Sequence, residues 1–89
     1  MLEQSIEIIN KLGLHARAAT KLAKLANSFS SDIGIHFNGK KTDGKSIMSL
    51  MLLAASKGSQ LTITTEGKDE AAAMEAIVNL INNKFGEEE

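Results

Sequence analysis

Along these 89 residues the spacing of apolar side chains switches repeatedly between two and three-to-four. Period two marks a strand buried on one face, and a period near 3.6 marks a helix with one apolar stripe. Ile6 and Ile8 alternate with Ser5 and Glu7, which predicts a first strand. A break follows at Asn10-Lys11-Leu12-Gly13. From Ala16 to Phe29, the residues Ala18, Leu22, Leu25 and Phe29 recur at helical spacing, with Lys21, Lys24 and Ser28 elsewhere on the surface. Ile33, Ile35 and Phe37 return to period two. Asn38-Gly39 then predicts a type I′ hairpin turn, because both central positions need positive φ. The returning strand, Lys40 to Asp43, is short and lysine-bearing, as suits an exposed edge.

Ser46 is placed to N-cap a helix running to about Ala55, which Lys57-Gly58-Ser59 ends. Leu61, Ile63 and Thr65 alternate with Thr62 and Thr64 in a strand rich in β-branched residues. Asp69 and Glu70 sit in the first turn of a last helix, where negative charge is favourable. Its stripe is Met74, Ile77, Val78, Ile81 and Phe85, with Gly86 as the stop. The order β-α-β-β-α-β-α implies an α+β fold. A mostly antiparallel sheet with helices on one face buries every stripe at once. Strand order does not follow from the spacing.

The length allows one domain, 1–89, and 43% hydrophobic with 24% charged residues gives it an ordinary globular balance. No cysteine is present, which excludes disulfides, thiol nucleophiles and thiolate metal sites. With two histidines as the remaining soft ligands, no metal and no cofactor is expected. Three Phe are the only aromatic residues, too few for a base-stacking surface, and a net charge of −1 offers no polybasic footprint for nucleic acid or membrane. Glu87, Glu88 and Glu89 conceal a mildly basic body: residues 1–86 carry ten basic and eight acidic groups, a net of +2. This acidic tail is expected to be solvated and frayed. The N-terminus shows no leader pattern and the longest apolar run, Leu50 to Ala55, is too short to span a bilayer, so a cytoplasmic location is expected.

Three features carry possible chemistry. Gly13-Leu14-His15-Ala16-Arg17 lies at a strand-to-helix junction. The first turn of a helix offers unpaired N–H groups and partial positive charge to an anion. A neutral imidazole is a competent nucleophile near pH 7, and Arg17 supplies donors matched to phosphate oxygens. Nucleophile, backbone cradle at Ala16, Arg17 and Ala18, and counter-charge are what phosphoryl transfer to a side chain requires. The same residues also fit a histidine that merely caps the helix. His36, on the polar face of its strand, is expected to be a surface residue. The second feature is the helix from Ile47 to Ala55, where only Ser49 is polar. With Leu50, Leu53 and Ala54 towards the sheet, Ile47, Met48, Met51 and in part Leu52 form an adaptable docking patch unless the last helix covers them. The third is Ser46, an N-cap that would also tolerate regulatory phosphorylation.

Gly13-Leu14-His15-Ala16-Arg17, Lys45-Ser46 with its apolar helix, and the element order from about Gln4 to Phe85 together resemble the HPr family. These are the histidine-containing phosphocarriers of the bacterial phosphoenolpyruvate-dependent phosphotransferase system. The resemblance implies an open-faced β-sandwich with strand order 1-4-2-3 and three helices on one face. It implies that His15 accepts a phosphoryl group on Nδ1 from enzyme I and passes it to IIA proteins or domains, with Arg17 assisting. Thr20, Ile47, Met48 and Met51 would dock these partners, and Ser46 would be the regulatory serine of an HPr kinase/phosphorylase. Such a carrier is a covalent relay rather than a turnover enzyme, and is expected to be monomeric. The family commonly has Pro after the active-site Arg, where this chain has Ala18.

Two branches fit the resemblance: sugar uptake and its regulation, or the nitrogen-related branch served by NPr. A regulatory module without a phosphorylatable histidine is disfavoured by the presence of both His15 and Arg17. An RNA-binding domain would want aromatics where Ile33, Ile35, Leu61 and Ile63 stand.

Overall fold

A computed structural model describes residues 1–87; the expectation of a frayed terminus at Glu88 and Glu89 lies outside the described residues. The elements are β1 (Leu2–Glu7), α1 (Ala16–Asn27), β2 (Asp32–Phe37), β3 (Lys40–Asp43), α2 (Ile47–Leu52), β4 (Gln60–Glu66) and α3 (Glu70–Asn82). A 3-10 turn at Lys84–Gly86 follows. The four strands form one antiparallel sheet in the order β1-β4-β2-β3. This is the topology that the family resemblance implied.

Register follows the alternation seen in the sequence. Ile6 lies opposite Leu61, and Ile35 opposite Ile63. These side chains, with Ile33 and Thr65, are buried, and the intervening Thr62 and Thr64 are half-buried on the other face. The hairpin turns through Asn38 at φ 52° and Gly39 at φ 80°, as the Asn-Gly pair requires. Against the inner face, α1 buries Ala18, Ala19, Leu22, Ala23 and Ala26, and α3 buries Ala73, Met74, Ile77 and Ile81. α1 also packs against α2 and α3. Asp69 ties the start of α3 to the start of β2: its carboxylate accepts from the Ser30 and Ser31 amides, both at 2.9 Å, and from the Ser31 hydroxyl.

Four boundaries differ from the spacing argument. β1 begins at Leu2, because backbone pairing with Thr65 continues past the last buried side chain. α1 ends at Asn27, so Phe29 packs on the core from outside the helix. α2 ends at Leu52 rather than near Ala55; Ala54 takes φ 52° and is exposed while Ala55 is buried in its place. The cause is tertiary, since the Ala55 carbonyl accepts from the Leu14 amide at 2.8 Å. α3 stops at Asn82, four residues before Gly86. Lys84 and Phe85 both take φ 56°, and this turn drives the Phe85 ring completely into the core. Left-handed backbone at a bulky residue is unfavourable, and burial of the ring offsets it.

Candidate functional site

The site is organised by the loop that enters α1. Gly13 has φ +67°, and a Cβ there would stand 2.6 Å from the Ala55 carbonyl oxygen and 2.8 Å from Ser56 Cα. Only glycine lets this loop lie against the strand-ward segment after α2, where Leu14 then docks its buried side chain. His15 follows as the N-cap residue of α1, with extended backbone at φ −79° and ψ −177°. Its side chain makes no capping hydrogen bond. The first intrahelical bond runs from the Ala19 amide to the His15 carbonyl at 2.8 Å. The amides of Ala16, Arg17 and Ala18 therefore precede the helical ladder, and form the donor group of a helix N-terminus. Arg17 is exposed, with no hydrogen bond or ion pair among the described residues, while Ala18 is fully buried.

The histidine ring is held from the other end of the chain. Its Nε2 lies 2.5 Å from Glu87 Oε2, and Glu87 Oε1 accepts from Asn10 Nδ2 at 2.9 Å. Asn10 Nδ2 also donates to the Gly13 carbonyl at 2.8 Å, so one amide braces both the loop and the tail. Nδ1 of His15 has no hydrogen-bond partner among the described residues. The Glu87 side chain is only 14% exposed, which corrects the expectation of a solvated tail at this residue. Buried Phe85 turns the chain back, and Lys21 Nζ holds the Phe85 carbonyl at 2.7 Å. The Asn10 amide keeps the Glu87 carboxyl below the usual carboxylate range despite its burial, with smaller contributions from His15 and Lys21.

The remaining sequence-selected residues fall on two surfaces. Thr20, half-buried on α1, donates its hydroxyl to the Ala16 carbonyl at 2.8 Å. Ser46 N-caps α2, its hydroxyl oxygen accepting from the Ser49 amide at 3.2 Å. Ile47, Met48, Met51 and Leu52 are 40, 69, 42 and 75% exposed, so α3 leaves them open to solvent. Leu50 and Leu53 are buried, but Ala54 is not, against expectation, because the helix has already ended there. The segment just after this helix meets the His15 loop through the Leu14 amide and Ala55 carbonyl.

His36 is half-buried rather than a plain surface residue. A Cβ at Gly34 would lie 3.4 Å from its Nε2, so the imidazole leans across the space that glycine leaves empty. That nitrogen is buried without a hydrogen-bond partner among the described residues.

Sequence reading missed Asn10, Lys21 and Glu87. Asn10 carried a weak signal, since an amide residue three positions before a glycine in a strand-to-helix break is suited to brace the loop. Glu87 carried none, because three glutamates at a terminus are ordinarily solvated.

A sequence model of the family described as "PTS HPr component phosphorylation site" matches residues 2–83. Phosphocarrier protein HPr of Neisseria meningitidis is 55% identical over 89 residues, covering the whole of both chains. Phosphocarrier protein NPr of Shewanella violacea is 45% identical over 86 residues, covering 97% of this chain and 94% of that one. The crystal structure of HPr-C-His from Thermoanaerobacter tengcongensis superposes with a TM-score of 0.96 at 47% identity over the whole of both chains. No helix among the described residues is long and apolar enough to cross a membrane.

Proposed function

The chain belongs to the HPr family of phosphocarriers of the phosphotransferase system, and on that premise we propose that His15 is the residue phosphorylated. It takes the group from enzyme I and hands it to IIA proteins or domains. The observation that carries this reading is the placement of His15 as the N-cap residue of α1, with no capping bond from its side chain, no partner for Nδ1 among the described residues, and three amides outside the helical ladder next in sequence. The Nδ1 lone pair attacks phosphorus as the donor's N–P bond breaks. The amides of Ala16, Arg17 and Ala18 and the Arg17 guanidinium receive the phosphoryl oxygens. The exposed row Ile47, Met48 and Met51, with Thr20, is the docking surface, and its Met content lets one patch fit several partners. Ser46, at the start of that helix, is the regulatory position for an HPr kinase/phosphorylase, where a phosphate would oppose an acidic partner. Relatives named HPr span 43 to 55% identity and the NPr relative, at 45%, falls inside that range, so sugar uptake and the nitrogen-related branch are told apart by onward transfer.

The test incubates the protein with enzyme I, phosphoenolpyruvate and magnesium, beside His15→Ala, and reads intact mass under alkaline conditions. One acid-labile phosphoryl group, absent from the variant, is expected. No phosphorylation with several competent enzyme I proteins would leave only an interaction module built on Ile47–Met51. Transfer onward to sugar-specific rather than nitrogen-related IIA proteins would establish the branch.

A further inference from the structure

The groups around His15 determine where its proton sits. Glu87 meets Nε2 with Oε2 at 2.5 Å and meets Asn10 Nδ2 with Oε1 at 2.9 Å. An ionised carboxylate can only accept hydrogen bonds, so Nε2 must donate. In the neutral ring the lone pair then falls on Nδ1. Asn10 cannot reverse this arrangement by rotating its amide. Its Nδ2 is shared between the carboxylate and the Gly13 carbonyl at 2.8 Å, and rotation would set Oδ1 against both acceptors. Lys21, one helical turn beyond Arg17, supports the tail from α1 through the Phe85 carbonyl.

We propose that Glu87, braced by Asn10, is a positioning residue that selects the His15 tautomer with Nδ1 free and closes Nε2 to a phosphoryl group. The phosphoryl half rests on the carrier reading above; the tautomer half rests on the geometry alone. During transfer the proton stays on Nε2 while the Nδ1 lone pair forms the new N–P bond. The ring gains positive charge, and the Glu87 carboxylate faces it. A carboxylate holding the far nitrogen of a reactive imidazole is a recurrent device for fixing tautomer and orientation. Here it is delivered by the C-terminal segment rather than by the sheet.

The decisive variant is Glu87→Gln. One Asn10 Nδ2 hydrogen is taken by the Gly13 carbonyl, and the other keeps an acceptor only by taking the single Gln amide oxygen, which leaves the Gln NH2 group facing His15 Nε2. Two donors cannot share that contact, so the ring proton moves to Nδ1. Ring-nitrogen NMR of ¹⁵N-labelled protein, at a pH where the imidazole is neutral, is expected to show one Nε2–H tautomer in the parent. It is expected to show a majority of Nδ1–H in Glu87→Gln and a mixture in Glu87→Ala. Phosphorylation by enzyme I should slow by about tenfold in Glu87→Gln, from the strength of a hydrogen bond to a charged group, and by less in Glu87→Ala. Loss of tail packing alone would order the two variants the other way. The proposal is overturned if Glu87→Gln keeps its proton on Nε2, or reacts no more slowly than Glu87→Ala. A parent protein that accepts no phosphoryl group would overturn the carrier reading instead, and the NMR result would still decide the tautomer.

Discussion

Gly13→Ala tests whether the loop before His15 is held by backbone contact. Two terms add. Gly13 has φ +67°, and left-handed backbone costs a residue with a Cβ about 1–2 kcal/mol. The new methyl would also stand 2.6 Å from the Ala55 oxygen and 2.8 Å from Ser56 Cα, both backbone atoms that cannot swing aside. Overpacking of this kind costs about 1–3 kcal/mol, so the total is about 3 kcal/mol. Relief of the clash would stretch the Leu14–Ala55 hydrogen bond, now 2.8 Å, and displace His15 from Glu87. An 89-residue chain has a total stability of about 4–13 kcal/mol, so the loss is a large fraction of it. The melting temperature should fall by about 12–24 °C, at 4–8 °C per kcal/mol. Gly39→Ala is the internal control, because Gly39 has φ +80° with nothing within 4 Å of its Cβ position. It carries the backbone term without the clash. Urea unfolding of both variants separates the terms. Equal losses, within about 0.5 kcal/mol, would refute the contact argument.

Four further outcomes are expected. The hydrogen bonds from Ser31 and the Ser30 amide hold Asp69 at about 2 against an ordinary 3.8, so its contribution is present above pH 4 and is lost as pH falls towards 2; Asp69→Asn should flatten that part of the urea midpoint-against-pH curve, and an unchanged slope would contradict it. Ser46→Ala removes the α2 cap and should cost about 1 kcal/mol in thermal unfolding. Ser46→Asp keeps a capping oxygen but adds charge beside the apolar row, so it should weaken enzyme I binding in a titration without comparable destabilisation. Ala18→Pro removes one of the three amides assigned to the phosphoryl oxygens but no intrahelical bond, and the Ala16 and Arg17 donors remain, so the phosphotransfer rate should change by less than about tenfold, the worth of one hydrogen bond; a larger change in a quench-flow assay would contradict this.

Much of the architecture was legible because each element carries its own period. The alternation of Leu61, Ile63 and Thr65 identified which face of β4 is buried, and Asn38-Gly39 identified the hairpin. Ser46 was legible as a cap because capping is a contact within three residues. The donor group at the start of α1 was legible for the same reason: it follows from helix geometry and from residues adjacent in sequence. The boundaries that differed are those set by distant partners. α2 ends early where Ala55 turns to meet Leu14, and α3 ends early where Phe85 turns into the core.

The sequence by itself determined the order of the elements, their buried faces, and a histidine and an arginine at a helix N-terminus. All of these depend on contacts between neighbours along the chain. Tertiary structure alone decided what lies against that histidine. Seventy-two residues separate His15 from Glu87, and nothing local in three terminal glutamates marks one of them as a partner. The burial of Phe85, the Lys21 bond to its carbonyl and the two-sided amide of Asn10 bring them together. Each is a contact that exists only once the helices have packed on the sheet.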